Sequence, residues 1–99
     1  MNMTGGVAPK DTLLELRHAI DGVDSALVAL LVQRLALVER VVAVKRREGL
    51  PAAIPTRVED VVAKVRAEAQ RQGFPAATAE KLWRKLIADM IAFEENQLK

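Results

Sequence analysis

Apolar positions between Asp11 and Glu48, "DTLLELRHAIDGVDSALVALLVQRLALVERVVAVKRRE", recur three and four residues apart with no intervening proline. That is the period of an α-helix with one buried stripe. Thr12 and Glu15 have the spacing of a capping box at its start, and Gly49 is a stop at its end. Gly22 is the one weak point inside. A second helix is predicted from "PTRVE", where Thr56 and Glu59 repeat the capping-box spacing, to Gly73. A third begins near Pro75, whose ring suits a first helical turn, and runs to about Gln97. Valines fall on helical rather than alternating spacing, so no strand is predicted. The pattern contains no internal repeat. It predicts an all-α chain of three helices, long, short and medium, in a single domain over 11–99 behind a loose tail at 1–10.

Inside the long helix, "RLALVERVVAVK" at 34–45 breaks the usual rule. With each residue advancing about 100°, the eleven steps from Arg34 to Lys45 return to within about 20° of the start. Leu37, Val38, Val41, Val42 and Val44 surround both cations, while Glu39, Arg40 and Ala43 fall opposite. Two readings fit. Each cation buries its methylenes and sends its charge to water at the helix edge, or both face a bound dianion. The nearest acids on the helix, Glu39 and Glu48, point elsewhere.

Length adds a second constraint. A helix of about 38 residues is about 57 Å long, whereas a compact chain of this size has a radius of gyration near about 13 Å. Two shorter helices cannot cover so long an apolar face, and a homodimer that pairs the long helices is the economical solution.

Other polar residues stand out against the same wheel. Arg17, seventeen residues before Arg34, lies at the edge of the stripe, where it can reach across a dimer seam. Arg57 falls in the expected first turn of helix two, where a cation and free N–H groups make an anion site; a solvated first-turn side chain is the plainer reading. Glu94 lies four residues after Met90 and seven after Ile87, in the arc that carries Trp83 and Leu86. A carboxyl there either holds its proton and donates a hydrogen bond, or pairs with Lys45 or Arg34.

Composition narrows the classes. The 99 residues hold no Cys, 51% apolar and 28% charged residues, and a net charge of +2. The balance is globular, and without Cys there is neither a disulfide nor a thiolate metal site. No basic region followed by an apolar run opens the chain, and no stretch is long enough to span a bilayer, so a cytoplasmic setting is expected. His18 has no metal-ligand company, and Ser25, the only serine, has no histidine in triad register. "VKRREG" at 44–49 with Arg40 offers a small basic helix end, but only Trp83, Phe74 and Phe93 are aromatic. Nucleic-acid binding is therefore not expected; a non-catalytic helical dimer or interaction domain remains an alternative.

"ELRHAI", "QR" with its arginine seventeen residues after the first, a lysine eleven further and an arginine twelve beyond that together resemble the AroQ-class chorismate mutases over about 11–97. The resemblance extends to the isochorismate-pyruvate lyases, which share the fold and to which "AAIP" at 52–55 looks closer. It implies an intertwined three-helix homodimer that binds a small dicarboxylate and rearranges chorismate to prephenate in one pericyclic step. It implies no metal, cofactor or nucleophile.

The resemblance also implies roles. Arg17 corresponds to the arginine that reaches into the partner subunit's site and holds a substrate carboxylate. Arg34 corresponds to the arginine that grips a carboxylate within its own chain, and Lys45 to the lysine at the ether oxygen. Arg57 corresponds to the arginine that helps close the pocket. Glu94 falls where many members have Gln and some Glu, on the other side of that oxygen. Three positions depart from the pattern. Val58 and Ile54 stand where acidic residues are common, and Met90 replaces a small polar residue. An apolar wall at the ring hydroxyl weakens chorismate binding and suits isochorismate, whose hydroxyl is placed differently. Conversion of isochorismate to salicylate and pyruvate is accordingly the alternative activity.

Overall fold

The computed structural model describes residues 11–99. The expected loose tail at 1–10 lies outside the described residues. The elements, in order, are α1 (Leu13–Glu48), α2 (Pro55–Gln72) and α3 (Ala76–Leu98), and no strand occurs among the described residues. The all-α, long–short–medium expectation is thus met. The chain divides into two compact units, one ending at Arg34 and one over Leu35–Lys99.

The first unit contains the start of α1. The Thr12 backbone N–H donates to Glu15 Oε1 at 3.1 Å, and the Glu15 N–H donates to Thr12 Oγ1 at 3.1 Å. This is the capping box that the spacing predicts, and it satisfies donors the helix itself cannot. From Leu13 to Gln33 every residue is exposed, including Leu14 at 75% and Val23 at 60%.

In the second unit the end of α1 buries Val42 and half-buries Leu35, Val38 and Lys45. The covered strip is narrower than the wheel suggests, because Leu37, Val41 and Val44 stay exposed. Helices α2 and α3 pack together, with Val62 and Ala69 of α2 and Ala79 and Ile87 of α3 buried. Spacings of seven and eight keep each pair on one helical face. Two cross-helix ion pairs, Arg66–Glu80 at 2.7 Å and Arg84–Glu59 at 2.9 Å, set the two helices antiparallel.

Both glycine stops take the left-handed conformation, Gly49 at φ 70° and Gly73 at φ 83°. At each the next residue's N–H reaches back five positions, Leu50 to the Lys45 carbonyl at 2.9 Å and Phe74 to the Ala69 carbonyl at 2.8 Å. Only glycine takes this backbone without strain.

The second expected capping box does not form. Pro55 occupies the first turn of α2 and makes Ile54, in extended conformation, the N-cap, with no side-chain cap. Thr56 is then already inside the helix, and the Glu59 carboxylate is engaged by Arg84. Likewise Pro75 is the N-cap of α3 rather than its first helical residue.

Candidate active site around Lys45 and Glu94

The second unit brings together two residues that the wheel had placed in separate apolar arcs. Lys45 Nζ lies 2.7 Å from Glu94 Oε1, and the two side chains are 11% and 10% exposed. The ammonium also donates to the Ala52 carbonyl at 2.7 Å. Of the two readings of Glu94, the ion pair with Lys45 is the arrangement found.

Local structure explains the meeting. Lys45 lies in the last turn of α1, and the Gly49 reversal turns the chain back so that buried Ala52 presents its carbonyl to the lysine. Glu94 follows buried Ile87 by two helical turns, on the covered face of α3. An ammonium carries three N–H donors. Two are used here, and the third has no acceptor among the described residues. The pair therefore presents a sheltered positive charge with a spare donor beside a carboxyl. Such a site can meet an oxygen on which negative charge develops.

The remaining candidates are placed less tightly. Ile54, Val58 and Met90 are half-buried in the second unit. Arg57, at the start of α2, is exposed, and its Nη1 pairs with Asp60 at 2.7 Å. That contact is with a residue of its own helix, three positions on. The Arg57 N–H also folds back onto the Ile54 carbonyl at 2.9 Å. In the first unit Arg34 is half-buried and Arg17 exposed, and neither forms an ion pair among the described residues. Among the described residues no group of three His, Asp or Glu side chains is placed to hold a metal, and no helix is long and apolar enough to cross a membrane.

Sequence reasoning missed two partners. The Ala52 carbonyl holds Lys45, and the Gln97 carbonyl accepts from Arg46. Backbone acceptors carry no residue signature.

Residues 16–95 match the family described as chorismate mutase type II. The T-protein of Enterobacter agglomerans is 39% identical over 85 residues, covering 86% of this chain and 23% of that protein. The T-protein of Haemophilus influenzae is 36% identical over 87 residues, covering 88% and 23% respectively. The chain thus spans just under a quarter of the length of these relatives.

Proposed function

The chain belongs to the chorismate mutase type II family, and on that premise we propose that it converts chorismate to prephenate. One observation carries the reading: a sheltered Lys45 ammonium, fixed by Glu94 and the Ala52 carbonyl, keeps one donor for an incoming oxygen. In the rearrangement the ether C–O bond breaks as a C–C bond forms, and charge builds on the enolpyruvyl oxygen. Lys45 meets that charge with a donor already in place, so little reorganisation is needed as the barrier is crossed.

Glu94 approaches the same oxygen from the other side. Without substrate it accepts from Lys45; to donate to the oxygen it must carry a proton. Glu94→Gln, which always donates, should then keep most of the activity and Glu94→Ala should lose it. A fully active Glu94→Ala removes Glu94 from this role. Arg34 grips one carboxylate of the substrate by a bidentate fork. Arg57 gives up Asp60 to close over the ligand, and Arg17 is supplied by the second subunit of a homodimer. Together they hold a flexible diacid in its folded, reactive conformer. No metal, cofactor or covalent intermediate is called for.

A homodimer is supported by the bare apolar side chains of α1, from Leu13 to Val32, because a soluble chain seldom leaves so many along one helix. Residues 11–99 then act as one functional domain.

The apolar Ile54, Val58 and Met90, all half-buried, support a second reading. They offer no polar partner to a ring hydroxyl in chorismate's position, which favours isochorismate and release of pyruvate with salicylate. A product assay with both substrates, and Arg34→Ala as control, separates the two. Prephenate lost in the variant supports the mutase. Salicylate and pyruvate with little prephenate support the lyase. If neither substrate reacts, both are overturned in favour of a binding scaffold.

A further inference from the structure

The residue after Lys45 makes a contact that the proposed chemistry does not use. Arg46 donates from Nη2 to the Gln97 carbonyl, in the last turn of α3. The last four carbonyls of a helix lack partners within it and form its negative end. Helix α3 has no basic residue within its last turn, its own Lys99 standing at the C-cap, and Arg46 brings a cation onto that turn from α1. Gln97 lies three residues, just under one turn, beyond Glu94. Adjacent residues of α1 therefore hold α3 at two points about a turn apart: Lys45 by the Glu94 side chain, Arg46 by the Gln97 backbone.

Packing on α2 holds the body of α3, and among the described residues the ion pairs to α2 reach it only at Glu80 and Arg84; beyond them the Lys45 and Arg46 contacts fix the rotation of its last turns against α1. We propose that Arg46 is a positioning residue that, by clamping the end of α3, sets the Glu94 carboxyl against Lys45. Its catalytic consequence rests on the mutase reading above; the clamp itself does not. Arg47 is an internal control: it is equally cationic and exposed, and it makes no hydrogen bond or ion pair among the described residues. A role through general attraction of a dianion is shared by Arg46 and Arg47, whereas a clamp belongs to Arg46 alone.

The test uses Arg46→Met, which keeps the apolar stem and removes the donors, with Arg46→Lys and Arg47→Met, all checked for helicity and oligomeric state. The first readout is the 15N-detected ammonium signal of Lys45, which persists when its protons are held in hydrogen bonds, together with amide exchange in the last turn of α3. The second is kcat and KM for chorismate. Arg46→Met is expected to lose the Lys45 signal, to speed exchange at Asn96–Leu98, and to lower kcat by about tenfold to a hundredfold at near-constant KM, the cost of a misplaced catalytic group. Arg46→Lys restores most of each readout, and Arg47→Met leaves all of them unchanged. An intact Lys45 signal in Arg46→Met overturns the clamp. So does an equal effect of Arg47→Met, expressed in KM and abolished by salt, which assigns both residues to electrostatic attraction. If the wild type yields no prephenate, the mutase reading fails by itself, and the Lys45 signal still decides the clamp.

Discussion

The stretch Leu13–Gln33 and the unit Leu35–Lys99 share a helical conformation and an apolar composition, yet their side chains meet opposite fates. In the first, Leu13, Leu14, Ile20, Val23 and Leu27 are all more than half exposed. In the second, a helix pair covers Val42, Val62 and Ile87, and even a glutamate is driven to 8% exposure. Both are helical, but burial requires a facing surface, and among the described residues the second unit alone finds one. Among the described residues the first stretch is left uncovered, and whether a second copy covers it can be tested by substitution.

The largest effect is expected from charging the bare helix. Leu27 and Leu31 lie one turn apart and are 53% and 44% exposed. If they are simply solvated, Leu27→Asp with Leu31→Asp changes little; if they meet a second copy, sedimentation shifts from dimer to monomer and activity disappears. Mixing sharpens the result. Arg17→Ala and Lys45→Ala homodimers should each be nearly inactive. Random exchange gives about half heterodimers with one intact site apiece, hence about a quarter of wild-type activity, when Arg17 serves the partner's site. No recovery on mixing removes Arg17 from that role.

The next effect belongs to the second unit. If Lys45 meets the developing charge as proposed, Lys45→Ala should lower kcat by about a hundredfold to a thousandfold. Glu94→Ala leaves the lysine sheltered without its carboxylate, so it should lower the melting temperature as well as kcat. Glu94→Gln keeps a polar partner and should spare most of both. If all three variants retain full activity, chemistry does not take place at this pair.

How much of this the sequence revealed depends on the kind of interaction. The Thr12–Glu15 box and the two glycine stops are local, and spacing alone predicts them. Thr56–Glu59 has the same spacing and fails, because Pro55 fixes an earlier start and Arg84, twenty-five residues away from Glu59, captures its carboxylate. A periodic pattern could place Lys45 and Glu94 on apolar arcs and offer their ion pair as one reading, yet it could not choose between that pair, a pair with Arg34 and a protonated carboxyl, since neither arc shows which helix it faces. Ala52 and Gln97 contribute carbonyls, which every residue has, so their part was invisible to residue identity.

A smaller effect is expected of the ion-pair network between α2 and α3. Hydrogen bonds from Arg84, with Arg66 adding to the second, hold the Glu59 and Glu80 carboxyls below the ordinary 4.5. Folding therefore lowers their proton affinity. The stability they contribute is complete above about pH 4.5 and is lost as pH falls through their lowered values. The melting temperature should thus drop on acidification, less so in Arg84→Met. Because Glu59 is exposed and Glu80 only half-buried, molar salt should mimic part of the loss. Equal acid sensitivity in wild type and Arg84→Met assigns the loss to other carboxylates.

The smallest change returns to the bare helix and has two possible signs. Gly22 lies inside α1, and a Cβ built there meets nothing within 4 Å. In an isolated helix, Gly22→Ala removes backbone freedom from the unfolded chain and stabilises by about 0.5–1 kcal/mol. For a domain of this size that amounts to a few degrees in melting temperature, at about 4–8 °C per kcal/mol. A second copy packed closely at this position reverses the sign, because the added methyl then meets a neighbouring backbone. A rise in melting temperature with the dimer intact places Gly22 on a solvated side of the paired helices. A fall accompanied by weaker association places it at the seam. A fall thus locates the interface at Gly22, and a rise excludes it from there, with a substitution that adds neither charge nor polarity.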